Sequence, residues 1–152
     1  MGSPPLENTM HGLKTCCATG LLLASLSGAS HGQTLTLDEV KSRAEPLKAE
    51  QTQALVKGSK VEFRLANGST RMWNHDDDGT FVANRVSTTG GRGTARGTWK
   101  VGDAGEYCLT FDWGKTETES WCRFLYPVED RYYGFGANAK GETSSGQYYF
   151  RK

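Results

Sequence analysis

"YCLTFDWGKTETESWC", residues Tyr107 to Cys122, is the stretch from which the rest of the chain is read. Its side chains alternate. Tyr107, Leu109, Phe111 and Trp113 share one face while Cys108, Thr110 and Asp112 share the other, the two-residue period of a half-buried strand. If the chain reverses around Gly114, Lys115 and Thr116, Cys108 falls opposite Cys122, Leu109 opposite Trp121, Thr110 opposite Ser120 and Tyr107 opposite Arg123. The stretch therefore predicts an antiparallel hairpin, stapled from outside its apolar face by a Cys108–Cys122 disulfide that contributes about 3 kcal/mol. A metal or catalytic-thiol role for the pair lacks a nearby histidine and a second cysteine pair.

The same alternation recurs on both sides of the hairpin. "KVEFRLA" sets Val61, Phe63 and Leu65 against charged residues, and Asn67-Gly68 then supplies the dipeptide most favourable to a tight turn into "TRMWNH". "DDDG" turns the chain into "TFVANRVS", and the glycine-rich "TTGGRG" connects that strand to "TARGTWKV", where Trp99 and Val101 share a face. "GDAG" leads into the cysteine hairpin, and after Pro127 "RYYGFGA" and "GQYYFRK" flank the turn "NAKGE". About eight strands without an intervening helix predict an all-β antiparallel meander that closes into a small lipocalin-like barrel. A two-layer sandwich fits the same alternation. Ahead of the strands, residues 33–58 carry a loose helical periodicity through Leu37, Val40, Leu47 and Leu55 that Pro46 interrupts and Gly58 ends, which predicts a two-part helix across one barrel end.

Charge and cysteine placement exclude some function classes. Lysine plus arginine is 18 against 17 acidic residues, so no basic field exists to draw nucleic acid or an anionic membrane surface. Lys14 precedes "TCCATGLLLASLSG", and small residues Ser30 and Gly32 follow, the layout of a cleaved signal peptide over residues 1–32. Met10 is the more conventional start, which makes residues 1–9 a misplaced start or an added remnant. The apolar run is shorter than the roughly 20 residues of a permanent membrane helix. Lipidation of Cys16 or Cys17 is disfavoured because both come before most of the leucines. The expected mature protein is residues 33–58 followed by a barrel over 59–152, periplasmic or secreted, where Cys108 and Cys122 would oxidise to a bond.

The series "QALVKGSKVEF", "NHDDDGTFVANR", "RGTWKV", "YCLTFDW" and "SWC" resembles an exported proteobacterial family of unknown function whose members pair a DGT turn with a GTW strand and a cysteine hairpin. The resemblance runs from about Ala54 to Arg151 and implies a periplasmic barrel without supplying a chemistry. A lipocalin proper keeps its glycine-tryptophan signature in the first strand, whereas Gly97, Thr98 and Trp99 lie mid-chain.

Candidate chemistry is sparse. Asn74, Asp76, Asp78 and Gly79 match the opening of a calcium loop, but its twelfth position is Arg85 and strands flank it, so a solvated hairpin turn is expected. His75 beside three aspartates lacks a linked nucleophile and reads as an exposed turn residue. "TTGGRGTARG" lacks the lysine and the following helix of a phosphate loop, which leaves Arg92 and Arg96 as ordinary surface cations able to assist an anionic partner. Trp73, Trp99, Tyr107, Phe111, Trp113 and Trp121 would line an inner face, where they either fill a narrow barrel or wall a pocket for a small amphipathic ligand. Arg123 shares that face and needs Glu62, Glu106, a ligand's anionic head or, as the preferred reading, access to the rim and solvent. The sequence thus predicts a monomeric binding protein and not an enzyme, without cofactor, whose partner is a small amphipathic molecule or, alternatively, an envelope protein.

Overall fold

The computed structural model describes residues 34–115 and 117–152. The expected signal peptide, with Cys16 and Cys17, lies outside the described residues. Eight antiparallel strands follow one another in chain order and close into a barrel: β1 (Lys60–Leu65), β2 (Thr70–His75), β3 (Thr80–Val86), β4 (Arg92–Val101), β5 (Tyr107–Asp112), β6 (Thr118–Val128), β7 (Arg131–Phe135) and β8 (Gly146–Arg151). Closure is made by β1 against β8, where Val61 faces Phe150 and Phe63 faces Tyr148, so the barrel and not the sandwich is the solution.

The cysteine hairpin adopts the register that its alternation dictates. Tyr107 faces Arg123, Cys108 faces Cys122, Leu109 faces Trp121 and Thr110 faces Ser120, and the two sulfurs are bonded. β6 is longer than its sequence boundary suggests and runs through Pro127, which stands one residue from the strand's end where a missing N–H is tolerated. Only Phe124 to Val128 of β6 pair with β7, while Thr118 to Arg123 pair with β5. Among the described residues, the first half of β6 therefore has no strand on its second edge.

Inside, rings are packed across the full width. Trp73 on β2 meets Phe111 on β5 edge-on at 5.4 Å, and Phe81 on β3 meets Phe111 at 4.9 Å. Small residues opposite them make this possible: Ala83 and Ala95 are buried, and a Cβ on Gly97 would overlap the Phe81 ring. The N-terminal segment is two-part, as Pro46 requires. α1 (Leu37–Lys41) has a capping box of Thr36 and Glu39 and buries Leu37 and Val40 against Tyr126, Val128, Tyr133 and Phe135 on the outer wall of β6 and β7. α2 (Ala49–Val56) places Val56 in the main core and Thr52 Oγ1 on the Gly105 carbonyl at 3.1 Å, which caps the end that holds the 76–79 and 102–106 turns. No described helix covers the opposite end, where the 66–69, 87–91 and 113–117 turns and the 136–145 loop lie.

Candidate functional site

At the capped end, β2 and β5 point three polar rings inward. Tyr107 Oη donates to His75 Nε2 at 2.6 Å, and Trp73 Nε1 reaches both, at 3.1 Å from Tyr107 Oη and 3.2 Å from His75 Nε2. With Nε2 accepting, His75 Nδ1 carries the proton and faces the Ser59 carbonyl at 3.2 Å. Trp99 Nε1 donates to the Asp76 carbonyl at 3.0 Å. Every polar atom of this cluster is thus engaged. Burial drives the His75 pKa down to about 4, despite the opposing Ser59 carbonyl, and lifts that of Tyr107 well above the usual phenol range.

This overturns the reading of His75 as an exposed turn residue: it is 4% exposed. Two residues beyond Trp73 on the same strand, it shares the inward face, and the turn begins only at Asp76. The acidic turn itself is a hairpin turn, in which Asp78 Oδ1 accepts from Thr80 N at 2.9 Å and from Thr80 Oγ1 at 2.6 Å.

The uncovered end is built from charge and unpaired rings. Trp113 and Trp121 both lie parallel to Phe111, with centroids 5.6 and 4.9 Å away and planes within 3° and 17°. Arg71, from β2, places its guanidinium 5.3 Å from the Trp113 ring centre and 5.8 Å from that of Trp121, and holds both Glu119 oxygens at 2.8 and 3.0 Å. Arg85 repeats the theme over Trp113 at 4.3 Å with Glu117 as its bidentate partner, whose carboxyl it holds below the usual range. A cleft of about 370 Å³ opens here between the two flanking hairpins, lined by Leu65, Arg71, Arg85 and Arg92, a volume at the lower end for small-molecule sites.

Three buried polar atoms at this end have no hydrogen-bond partner among the described residues: Trp113 Nε1, Trp121 Nε1 and Tyr148 Oη. Tyr148 comes from β8, stacks on Phe63 at 4.3 Å and is 1% exposed. Burial raises its pKa, and the Arg123 charge, then the Trp121 N–H, then the Arg71 charge pull it partly back. The Trp121 N–H thus lies beside the Tyr148 hydroxyl without closing a hydrogen bond to it. Arg123 projects from the half of β6 that lacks a second strand, and its stem lies over Gly134, where an added Cβ would come within 3.1 Å of Arg123 Cδ. It forms no ion pair among the described residues. Glu62 instead binds Arg64 at 2.6 Å, and Glu106 folds over Gly102.

The aromatic residues picked from the sequence are thereby divided. Trp73, Trp99, Tyr107 and Phe111 are buried in the core, whereas Trp113 and Trp121 are only partly buried and, with the half-buried Arg123, gather at the uncovered end. Sequence reasoning missed Arg71 and Tyr148. Both carry the signal that would have found them, standing in phase with the inward residues Trp73 and Phe150. Arg92 lines the cleft at the uncovered end, and Arg96 lies on the outer wall in a groove with Val82, Thr98 and Thr110.

A family model described as "Protein of unknown function (DUF995)" matches residues 21–151. No curated protein matches the chain, and no solved structure does.

Proposed function

The chain belongs to the DUF995 family of proteins of unknown function, and because that membership names no chemistry we propose, from the site, an exported protein that binds a small amphipathic molecule at the uncovered end of its barrel. The observation that carries this is the gathering of Trp113 Nε1, Trp121 Nε1 and Tyr148 Oη, all buried and unpaired, on one side of a packed aromatic core. A buried donor without a partner costs about 1–3 kcal/mol. Arg71 joins two of them to the cleft, lining it while lying over Trp113 and Trp121, and a bound molecule entering there would complete the polar half, with Leu65 and Val86 of the cleft offering the apolar half.

Export to the periplasm or the medium is part of the same reading, supported by a disulfide that persists only under oxidising conditions. The protein acts by binding and not by catalysis: its buried histidine has both ring nitrogens engaged, and the hydroxyl beside it, Ser59 Oγ at 3.2 Å from Nδ1, is itself buried and donates to the Val56 carbonyl at 2.7 Å. Titration of the full chain with ten-carbon amphiphiles bearing anionic, neutral and cationic heads tests the proposal. Saturable change in tryptophan emission, with one molecule per chain by native mass spectrometry, is expected for at least one head. No binding of any of them sinks it.

A second reading, a protein-interaction module for an envelope partner, draws on Met72 and Val82, which are 45% and 54% exposed on the outer wall. A partner recovered at fixed stoichiometry and lost on Val82→Glu would put it first.

A further inference from the structure

We infer that the head group recognised at the uncovered end is a monoanionic carboxylate and that Arg123 is its charge partner, an inference that rests on the binding-protein reading above. All the unpaired polar atoms there can donate. An indole N–H can only donate, a phenol hydroxyl is free to donate, and a guanidinium has five donors and no acceptor. The missing group is therefore an acceptor.

Charge narrows it further. Arg71 and Arg85 are each neutralised by a bidentate glutamate, Glu119 and Glu117. Arg123 has no carboxylate among the described residues, and it and Tyr148 meet over Gly134, where an added Cβ would lie 2.9 Å from the Tyr148 ring and 3.1 Å from Arg123 Cδ. One unneutralised cation in a half-buried place matches one negative charge, and the guanidinium fork fits the two oxygens of a carboxylate. A dianionic phosphate would need a second cation, and Arg92, which also lines the cleft, is exposed and therefore the weaker partner. The position gives access as well, because β6 has no second strand along Thr118 to Arg123 and Gly134 leaves space for the Arg123 stem. The apolar remainder of the molecule would lie along Leu65 and Val86, the apolar residues that line the cleft.

Four probes separate the possibilities on the full chain by calorimetry: decanoate, decyl phosphate, decanol and decyltrimethylammonium. Decanoate is expected to bind tightest, and Arg123→Gln to weaken decanoate about tenfold or more while leaving decanol unchanged. Decanol or the ammonium compound binding as tightly as decanoate overturns the inference, as does decyl phosphate binding tighter, which would make the site a phosphate site. Absence of binding by all four removes the binding-protein reading itself, a distinguishable result. Should Arg123→Gln fail to fold by circular dichroism, Tyr148→Phe removes one hydroxyl and is expected to weaken decanoate severalfold, and unchanged affinity there also overturns the inference.

Discussion

At the helix-capped end of the barrel, Trp73, Trp99, Tyr107 and His75 have a partner for each ring nitrogen and hydroxyl, whereas at the other end Trp113, Trp121 and Tyr148 have none for theirs. The residue types are nearly the same at both ends. What differs is closure: α2 brings Val56, Ser59 and the Gly105 turn down onto one end, and the other has only hairpin turns around arginine–glutamate pairs. A satisfied buried network fixes one arrangement of the core, and an unsatisfied one lowers stability until something binds. The first end is therefore expected to carry stability and the second function.

The strongest challenge to that division is Trp73→Ala. It removes a 2% exposed indole that touches Phe81 and Phe111 and supports Tyr107, and should cost about 3–5 kcal/mol in guanidinium unfolding. A cost below about 1 kcal/mol would mean that the capped end is not the structural one.

His75 sharpens the comparison through pH. Its folded pKa of about 4 lies below the ordinary histidine value of 6.5, so the unfolded chain takes up the proton first. The stability it contributes is complete above about pH 6.5, falls as pH drops towards 4, and loses up to about 3 kcal/mol across that window. Replacement by glutamine should flatten unfolding free energy between pH 6.5 and 5, above the range where Asp78, Glu117 and Asp130 titrate with their lowered values. An unchanged slope in the variant would place the histidine in contact with water.

The disulfide sits on the outer face of β5 and β6 and belongs to neither end. Replacing Cys108 and Cys122 by serine should lower stability by about 3 kcal/mol, on the chain-entropy account of a loop of this size, and leave decanoate affinity unchanged. Loss of binding with the fold intact would tie the bond to the site.

The hairpin register, the strand number and the inward faces were legible because each is a local property: alternation assigns faces, and Asn67-Gly68 or the Gly114 turn sets the pairing. Closure followed from the strand number, but its seam was not legible, since β1 and β8 meet only when the whole sheet has curled, and no short pattern encodes Val61 opposite Phe150. The same reason hid the site. Arg71 and Glu119 lie on strands two and six and become partners only across a closed lumen. His75 was misread for a different cause, the adjacent "DDDG", whose turn chemistry masked an inward parity two residues past Trp73. The division of the four tryptophans into satisfied and unsatisfied pairs depends on strand tilt and on α2, which alternation does not contain.

The smallest expected effect is the most discriminating. Trp121→Phe keeps a ring on Phe111 and removes an N–H that has no acceptor, so stability should stay level or rise by about 1 kcal/mol. Trp73→Phe makes the same chemical change at the capped end, where the N–H is shared between Tyr107 and His75, and should cost about 1–2 kcal/mol. The two substitutions delete the same atoms from the same residue type, which cancels most of the difference in ring volume. Equal losses would mean that Trp121 Nε1 is hydrogen-bonded in solution, and the contrast between a finished end and an unfinished one would then disappear. A gain at Trp121 with a loss at Trp73 would locate the unmet hydrogen-bonding capacity of the barrel at the end where the ligand is proposed to bind.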